Sequence, residues 1–127
     1  MNKVIIGLGS NIDPERNIER AKSILAEKYN ILAESRFQKT KAIGKVPQDD
    51  FINGTVLIDT LLNMDELKSH LKAIESNLGR QKNHDQNASR TIDLDIIVWN
   101  GSIVDRDFYT REHLKQSVLD LIPELPY

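Results

Sequence analysis

The chain has 127 residues, 39% hydrophobic and 28% charged, with 17 Lys and Arg against 19 Asp and Glu and a formal net charge of −2. That length suits one domain, residues 1–127, with its own core, and the near-balanced charge gives no electrostatic basis for binding nucleic acid. The absence of cysteine excludes disulfides, cysteine-ligated zinc and thiol catalysis.

The chain starts with no charged-then-apolar leader and contains no apolar run of about 18 residues, so neither a signal peptide nor a membrane span is expected and the cytoplasm is the expected location. Lys3 to Gly9 reads as a buried strand, ended by a turn at Gly9-Ser10-Asn11. Asp13-Pro14 reads as an N-cap with proline at the first helical position. Ile18, Ala21, Ile24 and Leu25 then recur at helical spacing, giving a helix from Pro14 to about Lys28 whose role is packing. Ile31 to Thr40 alternates as a strand with one wet face. Lys41 to Asp50, with Gly44 and Pro47, is a loop.

Phe51 to Thr60 alternates again, with Ile52, Val56 and Ile58 on one face and Phe51, Asn53, Thr55 and Leu57 on the other. An aromatic ring and a carboxamide on one face suit a flat heteroaromatic with amide-like edges; a core phenylalanine beside a turn-proximal asparagine is the alternative. Asn63 with Glu66 three residues on is a capping box, Met64, Leu67, Leu71, Ile74 and Leu78 form a helical stripe, and Gly79 is a C′ stop. Glu75 lies beside that stripe. Gln81 to Ser89 is polar and aperiodic, which reads as a lid or a solvent-exposed loop. Asn100-Gly101 is a type I′ signal with Ser102 to Val104 as a short hairpin partner. Arg111 to Leu121 is weakly helical, and Pro123 and Pro126 end the chain.

The most informative stretch is Arg90 to Trp99. With period two, Ile92, Leu94, Ile96 and Val98 share a back, and Asp93, Asp95, Ile97 and Trp99 a front. The two carboxylates are then about 6.6 Å apart, two strand rises. At an effective dielectric of 20 their repulsion is about 2.5 kcal/mol. A hard divalent cation would offset it, because Mg²⁺ takes one or two carboxylates plus substrate phosphates. A solvated strand face with Arg90 as counter-charge is the alternative. Arg80, Lys82 and Arg90 flank the polar loop, and cations beside a carboxylate pair suit a magnesium-bound polyphosphate. No phosphate-binding P-loop is present, and Gly7-x-Gly9 is too short for a dinucleotide fingerprint.

The order β-α-β-β-α-β with a short C-terminal extension predicts an α+β, ferredoxin-like core. It has a mostly antiparallel four-stranded sheet, both helices on one face, and the other face open for a site.

On Gly9-Ser10-Asn11, Phe51-Ile52-Asn53, Ile74-Glu75, Gly79-Arg80 and above all Arg90-Thr91-Ile92-Asp93-Leu94-Asp95-Ile96, the chain resembles the 6-hydroxymethyl-7,8-dihydropterin pyrophosphokinases of folate biosynthesis over about residues 3–113. The resemblance implies a magnesium- and ATP-dependent enzyme that transfers pyrophosphate from ATP to the pterin hydroxymethyl group and releases AMP. It implies two Mg²⁺ ions on Asp93 and Asp95, with Arg80, Arg90, Asp93 and Asp95 as the catalytic set. It implies ATP contacts from Glu75, Arg80, Lys82, Arg90, Ile96, Thr110 and His113. The pterin would meet Thr40, Ala42, Ile43, Phe51 and Asn53. A monomer is expected, with small molecules as the only ligands. This sequence departs from the family pattern at Lys82, Asn87 and Lys72, where the family keeps an arginine, an aromatic and a glutamine. It also lacks part of the stretch after His113 that carries an arginine and a phenylalanine. A catalytically degenerate module that binds nucleotide or pterin is therefore the alternative. His70 and His84 take no role in this reading.

Overall fold

An unbroken apolar run puts the first strand, β1 (Asn2–Ser10), in the middle of a sheet, with Val4, Ile5, Ile6 and Leu8 all buried. The computed structural model describes residues 1–40, 51–79 and 91–127. Ala42, Ile43, Arg80, Lys82, His84, Asn87, Arg90 and the expected loops at 41–50 and 81–89 lie outside the described residues.

After β1 come α1 (Pro14–Lys28), β2 (Asn30–Glu34), β3 (Gln38–Thr40), β4 (Phe51–Thr60), α2 (Met64–Asn77), β5 (Asp93–Trp99), β6 (Ser102–Ile103), α3 (Asp107–Thr110) and α4 (Glu112–Leu121). The sheet order is β2-β4-β1-β5-β6, with β3 also on β4, and each of these pairings is antiparallel. The strands β2, β4, β1 and β5 are the split βαβ core anticipated from the element order, an α+β arrangement consistent with a ferredoxin-like fold. The sheet is wider than four strands because β3 and β6 add short edges.

One face carries the main core. Val4, Ile6 and Leu8 of β1 meet Val56 and Ile58 of β4, Ile92, Leu94 and Ile96 around β5, and the apolar stripes of α1 and α2. The stripe on α2 is the expected one, and its start is the expected capping box: Asn63 Oδ1 accepts from the Glu66 amide and Glu66 Oε1 from the Asn63 amide, both at 2.9 Å. Gly79 ends the helix at φ +91°, the left-handed C′ position. Asp13 is different from the expectation. It adopts a left-handed φ of 43°, its side chain caps no helix amide, and only its carbonyl accepts from Asn17 N at 3.0 Å.

The second alternating stretch does not run straight through. Leu32 is an extra residue opposite β4, between the pairs Ile31–Ile58 and Ala33–Leu57. The strand then breaks at Ser35, whose hydroxyl accepts from Thr55 N at 2.8 Å. Phe37 folds its ring across Gly54, where a Cβ would lie 2.6 Å from the ring, and Lys22 caps that ring from α1 at 5.0 Å. These contacts turn the chain so that β3 resumes against Phe51 to Asn53.

On the other face the expectation of an open surface holds for only one end. Ile5, Ile97, Val98, Phe108, Val118 and Leu125 form a second buried cluster beneath α3, α4 and the C-terminal residues. The strict alternation along β5 also fails. Ile5 pairs with Val98 and Ile6 with Ile96, so Ile97 is a bulge residue. Beyond it the faces exchange. Val98 joins the second cluster and Trp99 packs on the main core, the reverse of the period-two assignment. Asn100 and Gly101 both have positive φ, at 48° and 82°, as the type I′ turn requires. Among the described residues, no helix is long and apolar enough to cross a membrane.

Candidate active site

The open end of the second face is a cleft of about 790 Å³. Its floor follows from the register. Gly9 of β1 lies between Asn53 of β4 and Asp93 of β5, and Gly7 lies between Thr55 and Asp95. Two strand spacings separate the outer members of each row, about 10 Å. With glycine at both positions, β1 itself raises no side chain between the carboxamide and the carboxylates, and neighbouring side chains lie over the strand instead, Asn53 over Gly9 and Ile97 over Gly7.

Each wall is held in place by local contacts. Asn53 Nδ2 donates to Thr40 Oγ1, which brings β3 and β4 to one edge of the cleft. Its carboxamide oxygen lies over Gly9, where a Cβ would sit 2.8 Å from Asn53 Oδ1. The absence of a side chain at position 9 is therefore what lets Asn53 lie across the sheet. A carboxamide has two N–H donors and a carbonyl acceptor. With one N–H given to Thr40, the rest of the group can read an amide-like edge. Phe51, half-buried, is next along the same face and pairs with Thr40.

On the opposite side, Asp93 is half-buried and Asp95 exposed. The approach to them is anchored by Ser10, whose hydroxyl donates to the Thr91 carbonyl at 2.5 Å, and by Thr91 Oγ1, which donates to the Gly79 carbonyl at 3.3 Å. The end of α2 and the start of β5 are thereby joined beside the cleft. The Glu75 carboxylate, buried on α2, accepts from Leu94 N at 2.8 Å.

The first turn of α4 forms the third side. Thr55 Oγ1 donates to the Ser117 carbonyl at 3.2 Å, fixing α4 over β4. His113, one turn earlier, is half-buried on the cleft wall. Burial pushes its imidazole below the ordinary value of 6.5; the Arg111 charge adds to this and Asp107 opposes it. A neutral imidazole can accept a hydrogen bond as well as donate one.

Thr40, Phe51, Asn53, Glu75, Asp93, Asp95, Ile96 and His113 thus line one cleft, as do Gly7 and Gly9. Thr110, at the end of α3, is exposed and does not line it. Ala42, Ile43, Arg80, Lys82 and Arg90 are outside the described residues. His70 is exposed on α2 with Nδ1 3.1 Å from the Tyr29 hydroxyl, away from the cleft. Gly7 and Gly9 carry a sequence signal of their own, because glycine at i and i+2 of an otherwise apolar strand leaves room on one face for side chains from the neighbouring strands.

The donor chemistry fits a hard cation. Two carboxylates alternate on one strand face above a glycine floor, and among the described residues no group of three His, Asp or Glu is close enough to hold a metal ion. Two protein carboxylates, with the remaining positions left to phosphate and water, is the pattern Mg²⁺ uses at nucleotide sites.

The model of the 7,8-dihydro-6-hydroxymethylpterin-pyrophosphokinase family matches residues 5–123. The chain belongs to that family. It is 31% identical over 111 residues to the 2-amino-4-hydroxy-6-hydroxymethyldihydropteridine pyrophosphokinase of Haemophilus influenzae, covering 85% of this chain and 69% of that protein. To the protein of the same name from Helicobacter pylori it is 28% identical over 125 residues, covering 95% and 77%. To that of Synechocystis it is 35% identical over 112 residues, covering 86% and 56%. The pyrophosphokinase match runs through every strand and helix that lines the cleft, including α4.

Proposed function

We propose that the chain transfers pyrophosphate from ATP to the hydroxymethyl group of 6-hydroxymethyl-7,8-dihydropterin in folate biosynthesis, releasing AMP, with Mg²⁺ on Asp93 and Asp95. The observation that carries the proposal is the row Asn53–Gly9–Asp93, which sets a carboxamide and a carboxylate on either side of a glycine on one sheet face. Family membership supports the same reading.

In this proposal Phe51 stacks the pterin ring and Asn53, oriented by Thr40, pairs with its amide edge; Ala42 and Ile43 contribute backbone to the same pocket. Asp93 and Asp95 hold the cation, which supplies charge neutralisation on the polyphosphate when bound. Arg80, Arg90 and Lys82 bind phosphate oxygens, and Gly79 and Thr91, the sequence neighbours of Arg80 and Arg90, are hydrogen-bonded to each other. Ile96 and His113 lie on the cleft wall available to the nucleotide, and Thr110 adds an outer contact. Group transfer then depends on alignment and charge compensation more than on covalent help from a side chain.

The test is AMP formation from MgATP with and without 6-hydroxymethyl-7,8-dihydropterin. Pterin-dependent AMP release is expected. Pterin and nucleotide binding with no AMP released would leave the degenerate binding module as the correct reading.

A further inference from the structure

Glu75 stands in the last turn of α2 and is 6% exposed. A buried carboxylate is costly unless it is hydrogen-bonded. Its Oε2 accepts the Leu94 amide at 2.8 Å. That amide belongs to the peptide linking Asp93 to Leu94, so it lies between the two aspartates along the chain. On its inner side β5 is held by β1 through the pairs Gly9–Asp93, Leu8–Leu94 and Gly7–Asp95. On its outer side, among the described residues, the paired strand β6 reaches only Val98 and Trp99. A strand edge presents unpaired N–H groups, and here a helix side chain, rather than a strand, takes one of them. A charge-assisted bond of this kind is about twice as strong as a neutral one.

Direct ligation is the competing role for a carboxylate so close to Asp93 and Asp95. Among the described residues, no three His, Asp or Glu side chains are grouped closely enough to share a metal ion. Glu75 is not grouped with the pair in that way, and its Oε2 is engaged by the backbone that carries them.

We propose that Glu75 is a positioning residue for the Asp93–Asp95 pair, acting through the Leu94 amide. It fixes the peptide plane between the two aspartates, and so the directions in which both carboxylates leave β5. The catalytic consequence rests on the pyrophosphokinase reading above; the pinning of the strand does not.

The test uses two variants of the full chain. E75Q keeps an acceptor and removes the charge, and E75L removes the acceptor at similar size. Each is compared with wild type by amide hydrogen exchange at Leu94 in the metal-free chain and by AMP formation at varied MgATP. In E75L, Leu94 exchange is expected to speed up by about tenfold or more, the scale of one lost charge-assisted hydrogen bond. kcat is expected to fall by at least a similar factor, with KM for ATP within about twofold of wild type. E75Q is expected to keep most of the protection at Leu94 and to recover most of the kcat lost in E75L.

Unchanged Leu94 exchange in E75L would overturn the proposal. So would a KM for ATP that rises as steeply in E75Q as in E75L, the pattern of a direct nucleotide contact. Should E75L fail to fold, E75Q decides alone: a raised KM with Leu94 protection intact overturns the proposal, and kcat falling in step with that protection supports it. A wild-type chain that forms no AMP would defeat the functional reading and the catalytic consequence with it, while Leu94 exchange still decides whether Glu75 pins the strand.

Discussion

The two ends of one sheet face differ more than the two faces do. At the closed end, Ile5, Val98 and Phe108 are wholly or almost wholly buried beneath α4 and the C-terminal residues. At the open end β4, β1 and β5 present Asn53, Gly9 and Asp93 to a cleft. Ile97, the bulge residue, marks the boundary, with its side chain 3.3 Å from where a Cβ on Gly7 would lie. Side-chain size in β1 and one extra residue in β5 divide a single surface into a core and a site. Stability and chemistry are therefore expected to separate on mutation.

The largest effect belongs to the closed end. Phe108→Ala removes a fully buried ring and is expected to cost about 3–5 kcal/mol of stability, read by denaturant unfolding. KM for both substrates should stay near wild type for the folded fraction. A large change in KM at little cost in stability would mean that the two ends are not separate.

At the open end, Asn53→Ala is expected to weaken pterin binding by about 1–3 kcal/mol, because the ligand's polar edge is left unpaired. Nucleotide binding measured by calorimetry should barely change. Equal losses for both ligands would make Asn53 a structural residue. Gly9→Ala sharpens the same point, since its Cβ would fall 2.8 Å from Asn53 Oδ1 and the carboxamide must swing aside. It is expected to cost about 1 kcal/mol of pterin affinity, the scale of one displaced hydrogen bond. Affinity equal to wild type would show that Asn53 does not need the bare floor.

The smallest effect is one of pH. Folding lowers the His113 pKa, so between its folded value and its ordinary 6.5 the native chain binds fewer protons than the unfolded one. This contribution to stability is full above 6.5 and is lost as pH falls through the folded value. His113→Gln should therefore flatten the fall of Tm on acidification from neutral pH. Parallel wild-type and variant curves would remove His113 from the account.

Much of the closed architecture is legible in the sequence because it is written in period and punctuation. The bounds of α1, the Asn63–Glu66 capping box, Gly79 and Asn100-Gly101 all carry local signals that packing reinforces. The β5 bulge is not legible. Val98 and Trp99 are both apolar enough to suit either face, so a register slip leaves no trace in the hydrophobic pattern. Nor is the break at Ser35 to Phe37, since it depends on a ring crossing Gly54 from a distant strand. The carboxylate pair stood out because two charges on a half-apolar strand call for compensation. The glycine floor did not, because what matters there is the absence of side chains, visible only once three strands are side by side. Glu75 gave a position but no partner, because the Leu94 amide is 19 residues away.

The proposed function requires Asp93 and Asp95 to hold a cation that in turn binds the phosphates of the nucleotide. Thermal melting of wild type and Asp95→Asn, each without metal and with Mg²⁺ plus a non-hydrolysable ATP analogue, tests it most directly. Without metal the substitution removes a repulsion between like charges on one strand face, and solvent weakens that repulsion because Asp95 is exposed. The variant is therefore expected to melt within a few degrees of wild type. With Mg²⁺ and the analogue wild type should melt above the variant, because only wild type gains stability by binding. A variant that melts well below wild type without metal, and still releases AMP from ATP in the presence of pterin, would contradict the account.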